Sequence, residues 1–251
     1  RYRYEVDRFV DGMRDLTLER LTPADLLEWN GNMHAKGMSG PTIHQKLAAV
    51  RQFFTYLTDY SGSEHAGVLL ARLTKMKVRV PKHHSPPKQL ITTDILDRLL
   101  LTAEARLTGV RDAAILHFLW DTGARRAEVA SVRMLTLDLA GGTALVVGKG
   151  DKERTVFFTV GCSKRLQRWL QARREWGIPA EVPKLFASTL RRALTASTAG
   201  TMVKDVAQAA GVDIPVHTHL FRHSFATHAL DGGAPLAHVQ TALGPSRPET
   251  T

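Results

Sequence analysis

A basic, proline-rich segment in the first half of the chain is the feature that most constrains the fold. Residues 66–93 contain no Asp or Glu, but they hold six Lys or Arg residues, two adjacent histidines and three prolines. Because proline fixes the backbone torsion φ and removes an amide donor, no regular helix can run through the proline cluster. The segment therefore predicts two folded units, residues 1–74 and 92–251, joined by a linker over residues 75–91.

The first unit has the pattern of a small all-helical domain. Thr22 and Pro23 predict a helix start, because threonine caps free amide groups and proline fits the first helical position. The strongest helix of the unit has apolar residues at steps of four and three: Ile43, Leu47, Val50, Phe54 and Leu57. Lys46 and Arg51 lie off that stripe, where they either meet phosphate or face solvent.

The second unit is predicted to be mainly helical with a small antiparallel sheet. Residues 143–147 (TALVV) and 153–158 (ERTVFF) predict two strands, and the glycine-rich sequence GKGDK joins them as a hairpin tip. Lys149 lies at this tip. A lysine on a flexible turn can swing onto a phosphate or a leaving oxygen, although for a lone hairpin an ordinary solvated turn is the favoured alternative.

Two helices of the second unit carry charged residues on faces predicted to point inward. Glu128 lies one turn after Arg125 on the same face, where it can hold the guanidinium. His219 and Arg222 project onto the side of a predicted apolar stripe made of Phe225, Ala226, Ala229 and Leu230. An inward arginine stays protonated, so it needs an anion to face. For Arg125 a purely structural ion pair is the alternative.

Charge indicates the kind of partner. The net charge is +10, and residues 1–90 hold 14 Lys and Arg against 9 Asp and Glu, whereas the remainder holds 20 against 15. A basic excess in both parts suits a polyanion gripped from two sides, which favours nucleic acid over a merely soluble basic protein. The linker would follow phosphates along a duplex or act as a solubilising hinge, and its basic residues include Lys75, Lys77, Arg79 and Lys82.

Cysteine content and hydropathy narrow the range of cellular compartments that fit the sequence. The chain has one cysteine, Cys162, so a disulfide within the chain is excluded and a reducing, cytoplasmic compartment fits. No apolar run in the sequence approaches the length of a membrane span.

Three motifs in order resemble the tyrosine recombinases, the family of phage integrases and Xer-type recombinases. Residues 122–128 (TGARRAE) are similar to the first arginine box of that family, residues 148–154 (GKGDKER) to its lysine hairpin, and residues 219–228 (HLFRHSFATH) to its His-x-x-Arg box. Residues 41–60 resemble the main helix of its N-terminal core-binding domain. The resemblance covers nearly the whole chain.

The resemblance implies a clamp on double-stranded DNA and phosphoryl transfer without metal or nucleotide. A tyrosine attacks the scissile phosphate, forms a 3′-phosphotyrosine and frees a 5′-hydroxyl. Carried over by motif, Arg125 and Arg222 bracket the phosphate oxygens, Lys149 protonates the leaving oxygen, and His219 donates to the phosphate and assists proton transfer. Glu128 then orients Arg125, and His223 is a structural helix-packing residue. Assembly as a homo-oligomer on DNA, with a tetramer expected, is also implied.

Two departures from the family pattern matter. Pro245 follows Leu243 and Gly244 where the family has histidine or tryptophan, and proline cannot donate a hydrogen bond to the phosphate. By motif spacing the nucleophile would lie about nine positions beyond that point, just past residue 251. All four tyrosines lie in the first unit: Tyr2, Tyr4, Tyr56 and Tyr60.

These departures leave open whether the protein cleaves DNA. The residues as given are expected not to cleave DNA by themselves. The protein is either a recombinase whose nucleophile lies beyond residue 251 or a recombinase-like DNA-binding protein without catalysis. A third hypothesis, from another class, is a metal hydrolase that uses His217, His219 and His223, although the glutamate of the zinc-protease helix is missing.

Overall fold

The computed structural model describes residues 2–13, 17–76 and 89–244, except for the side chain of Lys149. The chain divides into two compact units, Arg1–Pro86 and Pro87–Thr251. Lys77, Arg79 and Lys82 of the predicted linker lie outside the described residues, as does Pro245. Among the described helices, none has both the length and the apolar character needed to cross a membrane.

In its described residues, the first unit contains four α-helices: α1 (Tyr2–Gly12), α2 (Pro23–Ala35), α3 (Gly40–Ser61) and α4 (Glu64–Lys75). The predicted cap of α2 is confirmed, since the Thr22 hydroxyl accepts from the Asp25 amide and the Asp25 carboxylate accepts from the Thr22 amide. The predicted stripe of α3 forms the core of the unit: Ile43, Leu47, Val50 and Phe54 are fully buried, and Leu57 packs at its edge.

The second unit contains seven α-helices in the described residues and one small sheet. The helices are α5 (Thr93–Glu104), α6 (Gly109–Thr122), α7 (Arg126–Ser131), α8 (Val160–Glu175), α9 (Ala196–Ala209), α10 (Thr218–Asp231) and α11 (Leu236–Leu243). Helix α6 is buried along most of its length and packs against α5, α8 and α10. It is therefore the central helix around which the site residues are arranged.

The sheet is antiparallel, with the strand order β1 (Leu137–Asp138), β2 (Thr143–Val147), β3 (Glu153–Phe157). The predicted hairpin is confirmed: Val147 pairs with Glu153 and Val146 with Arg154. Lys149–Asp151 forms a tight 3-10 turn at its tip. The short strand β1 was not predicted. The mainly helical fold with a small antiparallel sheet, expected from the sequence, is confirmed.

The predicted apolar stripe of α10 is wrong. Phe225, Ala226 and Ala229 are only half-buried and Leu230 is 41% exposed. The buried residues of the helix are instead Leu220, Phe221, Arg222 and Ser224. The difference comes from a tertiary contact, because the segment before α5 covers another side of α10. The Ile91 amide donates to the Ser224 hydroxyl at 2.9 Å, and the His228 ring bonds the Ile91 carbonyl oxygen at 2.8 Å.

Candidate active site

Basic side chains from α7, α9 and α10 surround an open hollow of about 620 Å³ in the second unit. We call it the basic hollow; its lining residues are Arg125, Arg126, Ser197, Gly200, Thr201, Lys204, His217, Thr218, His219 and Arg222. No carboxylate is among the described side chains that line it. A concave surface with cations and hydroxyls and without acids is suited to an anion larger than a simple ion.

Arg125 is placed by a sharp break between α6 and α7. Gly123 ends α6 with a φ of 56°, in the left-handed region that favours glycine. A Cβ atom there would lie 2.8 Å from Leu243 Cδ2 and 2.9 Å from Phe225 Cδ1, so α10 and α11 also require glycine at this point. The chain then turns directly into α7, and the Arg125 side chain remains 35% exposed at the edge of the hollow.

Glu128 holds Arg125 at two points. The Arg125 backbone amide donates to Glu128 Oε2 at 2.9 Å, and the guanidinium donates to Oε1 at 2.8 Å. The Glu128 side chain is 1% exposed. The predicted pairing of Glu128 with Arg125 is therefore confirmed as a contact, while its part in a reaction stays a prediction.

The same carboxylate holds a second guanidinium that the sequence did not reveal. Arg154 of β3 donates from Nη2 to Glu128 Oε2 at 2.7 Å. Burial alone raises the pKa of Glu128, but hydrogen bonds from Arg154 and from the Arg125 amide outweigh it, with the charge of Arg154 and the Arg125 guanidinium adding to them. The pKa of Glu128 lies below its ordinary value, so the group is a carboxylate at neutral pH.

Arg222 lies at the bottom of the hollow and is 7% exposed. Its guanidinium donates to the Gly123 carbonyl at 3.1 Å and to the Leu243 carbonyl at 2.7 Å. Burial and then the charge of Arg125 lower the pKa of Arg222 to about 10, which leaves it protonated at neutral pH. A buried cation and a partly exposed one that raise each other's energy form a site that an anion would stabilise.

His217 and His219 lie at the start of α10. The His217 Nδ1 atom accepts from the Leu220 amide at 3.1 Å and caps the helix, so this nitrogen carries no proton. The two imidazole rings are nearly parallel, with centroids 6.4 Å apart. Burial, then His219 and Lys204, lower the pKa of His217. His219 is exposed in the hollow, whereas His223, one turn later, is half-buried and not among the lining residues.

The lysine hairpin begins beside Glu128. A Cβ atom on Gly148 would lie 3.4 Å from Glu128 Oε1, so the base of the hairpin touches the group that holds Arg125. The Lys149 side chain lies outside the described part of the structure. Its contact with a substrate therefore stays a prediction.

Lys46 and Arg51, two basic residues predicted to contact DNA, have partners within the first unit. Lys46 Nζ lies 2.5 Å from Glu5 Oε2, and both side chains are largely buried. Arg51 donates to the Leu73 carbonyl at 2.7 Å and to the Met76 carbonyl at 3.4 Å, where it caps the end of α4. Lys75 is exposed at the end of the same helix. Contact of any of these three with phosphate stays a prediction.

The sequence motifs predicted three of the residues that line the basic hollow and did not predict the others. The structure places Arg125, His219 and Arg222 together in the basic hollow, as the motifs predicted. It adds Arg126 and Lys204 as further basic groups there, together with His217, which the sequence offered only as a candidate metal ligand. The metal hypothesis gains nothing from this arrangement: no group of three His, Cys, Asp or Glu side chains suited to a metal occurs within the described ranges.

A basic hollow without described carboxylates, in a mainly helical fold, is suited to a phosphate-bearing partner. Residues 89–251 match the Phage integrase family, and residues 1–60 match the family described as "Phage integrase, N-terminal SAM-like domain". The protein therefore belongs to the phage integrase family, the tyrosine recombinases.

Individual relatives agree with this assignment. The chain is 32% identical to tyrosine recombinase XerC of Alcanivorax borkumensis over 235 residues. This alignment covers 93% of the chain and 74% of the relative. The chain is 30% identical over 262 residues to tyrosine recombinase XerD of Listeria innocua, covering 100% of the chain and 84% of the relative. The fold is similar to XerH site-specific recombinase bound to a difH substrate, with a TM-score of 0.79 at 22% identity over 98% of this chain and 72% of that one.

Proposed function

We propose that the protein is a site-specific DNA recombinase that breaks and rejoins DNA strands through a 3′-phosphotyrosine intermediate. Family membership gives the reaction class. The observation that carries the proposal for this chain is the basic hollow, where Arg125 converges with His219 and Arg222, two residues of a helix far away from it in the sequence. A backbone phosphodiester of DNA is the anion that this arrangement suits best.

The proposed substrate pose sets the phosphate between the two guanidiniums. Each guanidinium has forked N–H donors that match non-bridging phosphate oxygens, and these bonds strengthen as charge builds on the oxygens in the transition state. Glu128 holds Arg125 in place, so the donor does not need to reorganise during the reaction. His219 would donate to the same phosphate from the start of α10.

The proposed reaction exchanges one phosphorus–oxygen bond for another. The tyrosine oxygen forms a bond to phosphorus and loses its proton, with His219 assisting the transfer, while the bond from phosphorus to the 5′-oxygen breaks. Lys149 would give a proton to that 5′-oxygen as the general acid. The nucleophile is expected beyond residue 251, as motif spacing predicts. The reverse reaction with a 5′-hydroxyl of a partner duplex completes strand exchange.

The proposed assembly is a homo-oligomer on double-stranded DNA, with a tetramer expected, and the proposed location is the cytoplasm. Basic residues of both units would contribute to duplex binding, and the linker residues Lys75, Lys77, Arg79 and Lys82 would follow the phosphates. No metal or nucleotide takes part in the proposed chemistry.

The second candidate is a recombinase-like protein that binds DNA without cutting it. The observation that favours this candidate is Pro245, which stands where the family supplies a hydrogen-bond donor to the phosphate. The two candidates share the DNA site and differ only in covalent chemistry.

A covalent-adduct experiment separates the two candidates. The protein, expressed from its complete reading frame, is incubated with a nicked suicide duplex that carries its recombination site, and the products are resolved on a denaturing gel. A recombinase yields a protein–DNA adduct with a free 5′-hydroxyl fragment. Tight binding without adduct would support the non-cutting candidate and overturn the recombinase.

A further inference from the structure

Arg154 connects three parts of the second unit that lie far apart in the sequence. Its Nη2 atom donates to Glu128 Oε2 at 2.7 Å, and its Nη1 atom donates to the carbonyl of Ala242 in the last turn of α11. Arg154 itself belongs to β3, the strand that follows the lysine hairpin. One guanidinium thus joins the hairpin strand, the residue that holds Arg125, and the end of α11.

The end of α11 is shaped to receive this side chain. Gly244 follows the helix with a φ of 71°, which favours glycine, and a Cβ atom there would lie 3.1 Å from Arg154 Cδ. Arg222 donates to the neighbouring carbonyl of Leu243 at 2.7 Å. Two cations therefore hold the final carbonyls of α11, where the helix dipole is negative, and both also belong to the cluster around Glu128.

The Arg154 side chain is held at two ends but is not fully satisfied. The side chain is 15% exposed, and its Nε atom is buried without a hydrogen-bond partner among the described residues. This unmet donor subtracts from what the buried ion pair contributes to stability. The contacts of the two Nη atoms with Glu128 and Ala242 fix the position of the guanidinium.

We infer that Arg154 is a positioning residue for strand cleavage, an inference that rests on the proposed function. It sets Arg125 through Glu128, and it fixes the point at which the chain leaves α11 toward the expected nucleophile. A displacement at either end would misalign phosphate and nucleophile, and misplacement by about 1 Å is enough to slow a reaction roughly a hundredfold.

The test compares Arg154→Met with a matched control, Arg98→Met. Arg98 donates to the carbonyls of Ala210 and Gly211 at 2.9 Å each, so it too holds the end of a helix, α9, but it is not bonded to Glu128. Single-turnover cleavage of a suicide duplex gives the rate constant and the reactive fraction, and duplex affinity is measured separately. We expect Arg154→Met to lower the rate constant about 10- to 100-fold with the reactive fraction and affinity preserved. Arg98→Met should leave the rate constant unchanged.

A second substrate distinguishes positioning from proton donation. A duplex with a bridging 5′-phosphorothiolate has a leaving group that needs no general acid, so it should rescue Lys149→Ala. It should not rescue Arg154→Met, because phosphate and nucleophile remain misaligned. Equal rescue of both variants would overturn the assignment. So would a loss in Arg154→Met that is confined to the reactive fraction, since that result means partial unfolding.

Hydrogen exchange tests the inference separately from the chemistry. In Arg154→Met, amides of α7 and of α11 should both exchange faster, whereas Arg98→Met should affect only the end of α9. Unchanged exchange in α7 or α11 would overturn the coupling even if cleavage slows. If the unaltered protein forms no adduct at all, the proposed function fails and the cleavage role of Arg154 fails with it, while hydrogen exchange still decides whether Arg154 couples α7 to α11.

Discussion

The two units use their basic residues in opposite ways. In the first unit, Lys46 is bonded to Glu5 and Arg51 to the carbonyls at the end of α4, so both cations are satisfied internally. In the second unit, Arg125 and Arg222 are held by partners on one side and still line an open hollow free of described carboxylates. The excess of basic over acidic residues is the same in residues 1–90 and in the remainder of the chain, yet these cations have different partners. The partner of each cation, rather than its charge, indicates its role.

The largest expected effect is on catalysis in the second unit. Arg222→Ala removes a buried donor that we propose faces the phosphate, so cleavage should fall about a thousandfold or more, while duplex affinity should change little because the proposed duplex contacts include many other phosphates. Single-turnover adduct formation and a binding titration measure the two quantities. Cleavage at the normal rate by Arg222→Ala would refute its place at the phosphate.

The next effect is on stability. Glu128→Gln leaves Arg125 and Arg154 without their shared carboxylate, and breaking a buried pair in this way costs about 3–5 kcal/mol in the free energy of unfolding. Denaturant titration of the variant measures this loss. A change below about 1 kcal/mol would mean that Glu128 does not hold the cluster together.

The Glu128→Gln variant should also change how the stability of the protein depends on pH. The folded-state pKa of Glu128 lies below its ordinary value, so its contribution is complete above the unfolded pKa and is lost as the pH falls through the folded pKa. The unaltered protein should therefore lose stability on the acid side more steeply than Glu128→Gln. If the stability of the two proteins fell equally steeply with decreasing pH, the ion-pair assignment of Glu128 would be contradicted.

A smaller effect distinguishes the two units directly. Arg51→Met should lower the free energy of unfolding by about 1–2 kcal/mol, because two buried carbonyls lose their donor. Arg126→Met, on the exposed rim of the basic hollow, should leave stability unchanged but weaken duplex binding and reduce its salt dependence by about one phosphate contact. A stability loss confined to Arg126→Met, or a binding loss confined to Arg51→Met, would contradict the comparison between the units.

The smallest effect concerns the cap of α10. Because the pKa of His217 is lowered in the folded protein, the unfolded chain binds the proton first, and the contribution of the cap is lost as the pH falls from the unfolded pKa toward the folded one. His217→Asn keeps a capping oxygen without titrating. Its thermal stability should therefore depend less on pH between about 7 and 5 than that of the unaltered protein.

Local sequence patterns predicted the parts of the site that depend on one helix turn or one hairpin. The Arg125–Glu128 pair follows from helical spacing, and the register of the lysine hairpin follows from its glycine-rich turn. The failures came from contacts between distant segments. The inward position of Arg222 on α10 was predicted, but the apolar stripe beside it was not, because Ile91 bonds Ser224 and His228 on another side of the helix.

Arg154 was missed for the same reason. Its partners, Glu128 and Ala242, lie 26 and 88 residues away in the chain. One local signal was available: alternation along β3 places Arg154 on the same side as buried Val156, and an arginine on an inward strand face needs a carboxylate or carbonyls to bond. Nothing in that alternation could name Glu128 or the end of α11 as the partners.

The most direct test asks whether Arg222 neutralises the charge of one phosphodiester. A suicide duplex is made with a neutral methylphosphonate at the cleavage position, and the unaltered protein and Arg222→Ala are compared on both duplexes in a double-mutant cycle. If Arg222 balances that charge, its loss should matter far less on the neutral duplex than on the ordinary one. An equal loss on both duplexes would show that Arg222 does not face the scissile phosphate.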